Sequence, residues 1–167
     1  AGLKSIGEVA GEVSALGGAD TVHGGEGKDV IVGGTAGDTI NGGAGNDTLI
    51  GDQGVVELID GLVRVVRSTD GAASETGNDQ IDGGNGDNIV LGGLGNDTIT
   101  TLEGEDKIFG DQGQVELLAS GIAVKLESLD TGRGGADGIQ SGSGNDLVIG
   151  GFGGDSITAA DGADVVA

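Results

Sequence analysis

Aspartate recurs every nine residues through most of this chain, and this spacing is the first feature that could support chemistry. Twelve nonapeptide units can be aligned, and their sixth position is aspartate in eleven and asparagine in one. Carboxylates are hard oxygen donors of the kind that Ca²⁺ prefers. The sixth positions are Asp20, Asp29, Asp38, Asp47, Asp79, Asn88, Asp97, Asp106, Asp137, Asp146, Asp155 and Asp164.

Glycines precede these aspartates in a GGxGxD pattern, which is complete at residues 24–29, 42–47, 92–97 and 150–155. Glycine at positions one, two and four can adopt left-handed dihedrals that aim carbonyl oxygens at a common point. Calcium takes six to eight oxygen ligands in flexible geometry. We therefore expect metal-binding carbonyls at Gly25, Gly27, Gly43, Gly45, Gly93, Gly95, Gly142, Gly144, Gly151 and Gly153.

The last three positions of each unit favour a short strand that places the turn. Segments such as VIV and TIT are β-branched, and the eighth position is aliphatic in every unit. One turn plus one strand makes nine residues, and two units make a coil with its eighth positions inward. The pattern predicts an all-β, calcium-bound parallel β-roll, a β-solenoid. The eighth positions are Val22, Ile31, Ile40, Leu49, Ile81, Val90, Ile99, Ile108, Ile139, Val148, Ile157 and Val166.

At the GGxGxDxUx units, where U is a large aliphatic residue, the chain resembles the RTX (repeats-in-toxin) proteins, also described as hemolysin-type calcium-binding repeat proteins. The resemblance implies that several calcium ions lie between turns eighteen residues apart. It pairs Asp20 with Asp38, Asp29 with Asp47, Asp79 with Asp97, Asp137 with Asp155 and Asp146 with Asp164. Asn88 opposite Asp106 departs from this pattern and implies a weaker site. The family's export by type I secretion implies a secreted or cell-surface bacterial protein.

Composition limits the partners of this chain. A net charge of −21, with seven Lys and Arg, excludes nucleic acid as a natural partner. There is no cysteine for a disulfide framework, and we find no apolar run that could cross a bilayer. His23 is the only histidine, so we find no zinc set and no catalytic constellation, and we expect no enzyme activity.

The same aspartates should oppose folding without a cation. Stacked turns bring carboxylates about 4.8 Å apart, where each pair repels by about 1 to 3.5 kcal/mol. The chain is also rich in glycine, acidic and nearly free of aromatic residues, a composition typical of disorder. We therefore expect it to be largely unfolded until calcium binds.

A longer period of fifty-nine residues overlies the nonapeptides. GDQG at residues 51–54 returns at 110–113, and each copy is followed by an apolar insert, at about 55–73 and 114–131. We expect one continuous array over 1–167 with super-repeats at about 2–60, 61–119 and 120–167. Gly2 and Leu3 match Gly61 and Leu62, so we expect the chain to come from a longer tandem array. The inserts fit either hairpins laid on the roll or two longer strands that continue the coil.

Ninth positions alternate between two kinds of residue. One set is polar: His23, Asn41, Asp82, Thr100, Gln140 and Thr158. The other is apolar, so one outer face of the roll needs cover. The inserts could cover it, or rolls could associate laterally or end to end through it. The apolar set includes Val32, Ile50, Leu91, Phe109 and Ile149.

Two functions remain open at this point. The first is a calcium-stiffened structural module of a large secreted or surface protein, such as an adhesin stalk or an extracellular fibre. The second is the C-terminal folding and export domain of a type I secreted enzyme or toxin. The fifty-nine-residue array favours the first.

Overall fold

The computed structural model describes residues 9–10, 17–69, 77–129 and 132–167. Gly2 and Leu3, and the last parts of both predicted inserts at 70–73 and 130–131, lie outside the described residues. Every regular element in the described part is a strand, and it contains no helix that could span a membrane. The strands in chain order are β1 (Val9–Ala10), β2 (Thr21–Glu26), β3 (Val30–Val32), β4 (Thr39–Ala44), β5 (Thr48–Ile50), β6 (Gly54–Ile59), β7 (Leu62–Ser68), β8 (Gln80–Gly84), β9 (Ile89–Leu91), β10 (Thr98–Thr101), β11 (Lys107–Phe109), β12 (Gly113–Leu117), β13 (Ala123–Ser128), β14 (Gly138–Ser141), β15 (Leu147–Ile149), β16 (Ser156–Ala159) and β17 (Val165–Val166).

Two six-stranded parallel sheets form the roll. Roll sheet 1 has the order β16-β14-β10-β8-β4-β2, and roll sheet 2 has the order β17-β15-β11-β9-β5-β3. Each nonapeptide contributes one strand, and successive nonapeptides alternate between the two sheets. The predicted parallel β-roll is therefore confirmed.

Eighth-position side chains form the core between the two roll sheets. They are paired across every strand, as in Ile40 with Ile81 and Leu49 with Val90. Because side chains alternate along a strand, this register turns them to the interior, except that Val166 in the last strand is 50 % exposed. The buried members are Ile31, Ile40, Leu49, Ile81, Val90, Ile99, Ile108, Ile139 and Val148.

The inserts are hairpins, the first of the two alternatives. β6 pairs antiparallel with β7, and β12 with β13. The first hairpin turns at Asp60 and Gly61, whose φ angles of 54° and 75° are both positive, as a type I′ turn requires. β7 also pairs antiparallel with β12, so the two hairpins join into one sheet. This hairpin sheet has the order β1-β6-β7-β12-β13.

The hairpin sheet covers the apolar outer face of roll sheet 2, so the alternative of self-cover is the one observed. Ile50, Leu91 and Phe109 are fully buried against insert residues such as Val56 and Val115. The other alternative, self-association through these three side chains, is not supported, because the hairpins occupy that face. The two end members, Val32 and Ile149, are half-buried and pack against the same cluster.

Phe109 lies in the second hydrophobic core, which is formed between roll sheet 2 and the hairpin sheet. Its substitution tests how much this core contributes to stability. Phe109→Ala removes a ring that is 1 % exposed, and we expect it to lower the free energy of unfolding by about 3 to 5 kcal/mol. The matched control is Phe152→Ala, because Phe152 is 49 % exposed and should cost far less. Denaturant unfolding in excess calcium measures both variants. Equal losses for the two would contradict the role of Phe109 in holding the hairpin sheet on the roll.

Candidate metal centre

The sixth-position side chains form two ladders along the roll. Beyond the first coil, each accepts at Oδ1 the backbone N–H of the sixth-position residue in the preceding coil. Asp38 accepts from Asp20 N at 2.7 Å, and Asp47 accepts from Asp29 N at 2.9 Å. Turn row 1, which leads into roll sheet 1, contains Asp20, Asp38, Asp79, Asp97, Asp137 and Asp155. Turn row 2, which leads into roll sheet 2, contains Asp29, Asp47, Asn88, Asp106, Asp146 and Asp164.

All five aspartate pairs implied by the family resemblance are neighbours in these rows. The rows also continue past the hairpins, which spacing alone did not predict. Asp38 N donates to Asp79 Oδ1 at 2.8 Å, and Asp97 N donates to Asp137 Oδ1 at 2.8 Å. The ladder is therefore continuous although the chain leaves the roll twice.

The second carboxylate oxygen of these aspartates is buried without a partner. In the described part of the chain, eight sixth-position Oδ2 atoms have no hydrogen-bond partner. A buried carboxylate is costly unless a donor or a cation compensates it. The eight belong to Asp29, Asp38, Asp47, Asp79, Asp97, Asp106, Asp137 and Asp146.

Burial raises the pKa of six carboxyls, and charge repulsion adds to the effect: they are those of Asp38, Asp47, Asp79, Asp97, Asp106 and Asp137. The pKa of Asp97 rises to about 8, chiefly through desolvation and further through the neighbouring charges of Asp79 and Asp137. Desolvation likewise raises the pKa of Asp79 and Asp137 to about 6. Backbone N–H donors act in the opposite direction without cancelling it. The fold thus disfavours the charged form of these carboxylates unless a cation compensates it.

Carbonyl oxygens line the gap between successive turns. A Cβ at Gly45 would lie 1.6 Å from the Gly27 oxygen, and one at Gly95 would lie 1.7 Å from the Gly77 oxygen. Nine of the ten predicted metal-site glycines have φ between 104° and 145°, a region that favours glycine. The exception is Gly142, where a Cβ would lie 1.5 Å from the Leu102 oxygen.

Glycine is required at the first position of the units for a reason other than the predicted one. The φ angles of these glycines are not left-handed, which corrects the prediction for this position. A Cβ at Gly33 would instead lie 2.5 Å from Asp38 Oδ2 and 2.4 Å from the Gly51 oxygen. Gly92 is similar, with Asp97 Oδ2 at 2.6 Å. Glycine is needed here because the carboxylate and the next coil occupy the space of a side chain.

Asn88 shows what the aspartates lack. It is fully buried and keeps its place in the ladder, since its Oδ1 accepts the Asp47 N–H at 2.9 Å. Its amide nitrogen donates to the carbonyl of Gly86 in the same turn at 2.9 Å. An aspartate at the same position presents a second oxygen to that carbonyl instead of a donor. A cation between the two oxygens would satisfy both.

The donor set fits calcium and does not resemble a transition-metal site. Among the described residues, no three His, Cys, Asp or Glu side chains converge closely enough to hold a metal on their own. Main-chain carbonyls must therefore complete any site, and mixed carboxylate and carbonyl oxygens are the ligands of Ca²⁺. When bound, calcium would supply the positive charge that the buried Oδ2 atoms lack.

Two buried aspartates were missed as site residues. Asp52 and Asp111 are 7 % and 2 % exposed, and both lie in turn row 1 where the hairpins leave the roll. They belong to the GDQG segments, which break the nonapeptide register. The exact return of GDQG after fifty-nine residues was the signal that could have identified them.

Comparison with family models agrees with this geometry. The RTX calcium-binding nonapeptide repeat (4 copies) matches residues 12–35, 23–55, 73–99, 82–114 and 131–166, more than two thirds of the chain. The chain belongs to the RTX calcium-binding nonapeptide repeat family. No curated protein and no solved structure matches it significantly. The RTX repeats thus coincide with the roll and leave out most of both hairpins.

In calcium-free buffer, we expect the roll to lose stability as the pH rises from about 5 to about 8. Folding raises the pKa of Asp97 to about 8, whereas the unfolded value is about 3.9. The fold therefore favours the protonated carboxyl. This contribution is complete below about pH 4 and is lost as the pH passes through the folded values. Circular dichroism measures it as the strand content at each pH and, where the chain is folded, as the melting temperature. A rise of either quantity over this window would contradict the account.

Excess calcium should reverse that trend, because protons and calcium compete for the same oxygens. The same thermal scans at saturating calcium provide the comparison. We expect the melting temperature to fall on acidification. If the two sets of scans were parallel, calcium would not bind at the titrating carboxyls.

Asn88→Asp tests the role of the sixth position. It replaces the amide that donates to Gly86 with a second oxygen, so we expect lower stability without calcium and tighter or additional calcium binding, by about tenfold in affinity. Asn96→Asp is the matched control, because it adds the same charge at an exposed fifth position. Calorimetric calcium titration compares the two. An identical response from both variants would mean that charge alone, and not position, governs binding.

Proposed function

We propose that this chain is a calcium-dependent structural module of a secreted or cell-surface protein, such as an adhesin stalk or an extracellular fibre. It folds into a β-roll and stiffens when calcium binds outside the cell. The observation that carries the proposal is the pair of turn rows, whose buried aspartate oxygens lack a hydrogen-bond partner among the described residues. Calcium repeats of this family are structural, and we propose no catalytic role.

The proposed ligands combine carboxylates with main-chain carbonyls. The carboxylates are those of Asp20, Asp29, Asp38, Asp47, Asp79, Asp97, Asp106, Asp137, Asp146, Asp155 and Asp164. The carbonyls are those of Gly25, Gly27, Gly43, Gly45, Gly93, Gly95, Gly142, Gly144, Gly151 and Gly153. Ions between coils would then bridge each row along its whole length. A bridged row resists bending because every ion joins two consecutive turns.

The hairpin sheet favours an elongated structural module over a compact C-terminal export domain. β7 of the first hairpin pairs with β12 of the second through Val66 and Val115, so the hairpins run alongside the roll as a continuous sheet. Both the roll and its cover therefore extend in the same direction. We propose that this arrangement carries load along the roll axis.

Extracellular calcium fits the requirement of this module. Extracellular calcium modules bind with dissociation constants of about 0.1 to 1 mM, well above cytoplasmic calcium levels. A chain with a net charge of −21 would remain extended inside the cell and fold after export. We propose type I secretion from a bacterium as the route, in keeping with the family resemblance.

A calcium titration tests the function. We expect strand content by circular dichroism to rise cooperatively at about 0.1 to 1 mM calcium, with a parallel increase in sedimentation coefficient as the chain compacts. Magnesium at the same concentration is the control, because it demands a smaller and stricter octahedral site. If chelation leaves the spectrum and the sedimentation coefficient unchanged, calcium is not the folding ligand.

A further inference from the structure

The GDQG aspartates Asp52 and Asp111 stand at equivalent places in turn row 1. Each follows the last roll residue before a hairpin, at the second position of a turn, where seven of the twelve nonapeptide units have glycine. Both side chains are more than nine-tenths buried. The same arrangement therefore arises twice from independent stretches of the chain.

Each of these carboxylates replaces a carbonyl that the turn has lost. In turn row 2, the third-position N–H donates to a second-position carbonyl of the preceding coil, as in Asn85 N to Gly43 O at 3.0 Å and Ser143 N to Leu102 O at 2.7 Å. In turn row 1, the equivalent Leu94 N donates to Asp52 Oδ2 at 2.6 Å. The main chain there has already turned away into the hairpin.

The second copy repeats this substitution. Phe152 N donates to Asp111 Oδ2, and Gly135 N donates to Asp111 Oδ1 at 3.0 Å. Glycine at the facing position leaves the necessary space, since a Cβ at Gly151 would lie 2.3 Å from Asp111 Oδ2. A Cβ at Gly93 would lie 2.5 Å from Asp52 Oδ2. The side-chain oxygen thus occupies the position of a backbone acceptor in both turns.

These positions adjoin the aspartates with unpartnered oxygens. Asp52 lies close enough to Asp79 and Asp97 for their charges to repel, and Asp111 is placed in the same way between Asp137 and Asp155. The Oδ2 atoms of Asp79, Asp97 and Asp137 are buried without a hydrogen-bond partner, and so is Asp52 Oδ1. The backbone N–H groups offset part of the cost of an additional buried carboxylate in such a place, and a bound cation would offset the repulsion that remains.

We propose that Asp52 and Asp111 are calcium ligands of turn row 1, where each supplies a charged oxygen in place of a second-position glycine carbonyl. The inference rests on the proposed calcium-binding function. It makes the two insert-bearing turns the tightest sites of the row, because calcium affinity rises with the charge of the ligands. The hairpins can then leave the roll without interrupting the row of ions.

Asparagine and alanine variants separate binding from hydrogen bonding. Asp52→Asn and Asp111→Asn keep an oxygen that can accept the Leu94 or Phe152 N–H but remove the charge. Asp52→Ala and Asp111→Ala remove both. Asp60→Asn is the matched control, because it makes the same chemical change at the exposed tip of the first hairpin, where Asn tolerates the positive φ.

Calorimetric titration with calcium, on variants whose strand content at saturating calcium equals that of the wild type, provides the measurement. We expect each Asn variant to weaken the tightest class of sites by about tenfold or more and the control to match the wild type. Single variants keep one GDQG turn intact if the double variant does not fold. Wild-type binding by the Asn variants, with only the Ala variants destabilised, would overturn the proposal and leave a hydrogen-bonding role. A wild-type chain that binds no calcium would instead contradict the proposed function itself.

Discussion

Stacked carboxylates are the constraint on which this fold depends. Adjacent coils are about 4.8 Å apart. An aspartate that recurs once per coil in a turn row therefore lies close to the same negative charge in the coils on either side. The backbone compensates one of the two oxygens of each carboxylate with an N–H donor, as when Asp79 N donates to Asp97 Oδ1 at 2.8 Å. The other oxygen faces carbonyls rather than donors. The polypeptide thus sets up a charge distribution that only a cation can complete.

The thinness of the roll explains why hairpins accompany it. Its interior is one aliphatic side chain deep on each sheet, and short strands such as Thr48–Ile50 and Ile89–Leu91 are buried on both faces. Strands buried on both sides need a second layer. The hairpin sheet provides it through Val56, Val66 and Val115. Roll sheet 1, whose ninth positions are polar, needs no such cover.

Local periodicity predicted the parts of this fold that repeat locally. The aliphatic eighth position specified the inner core, and Asp60-Gly61 is a hairpin signal with a physical basis. The choice between hairpins and longer coil strands stayed open because loose alternation fits both. The joining of the two hairpins into one sheet was not predicted, because β7 and β12 pair residues about fifty positions apart. Asp52 escaped notice for a related reason: its carboxylate lies at the second position of a turn and not at the sixth, and only the stacking of turns reveals its neighbours.

The nine-residue and fifty-nine-residue periods of the chain produce sheets that grow at the same rate. Four nonapeptides form two coils, which add two strands to each roll sheet, and one hairpin adds two strands to the hairpin sheet. All three sheets therefore grow by the same distance per super-repeat, about 9.6 Å at the usual strand spacing. Hairpins that leave from the same turn row arrive side by side, which is why β7 and β12 can pair without a gap. With one hairpin in every fourth turn, the hairpin sheet and the two roll sheets gain the same number of strands per super-repeat. A different frequency would leave either unpaired strand edges or uncovered apolar surface.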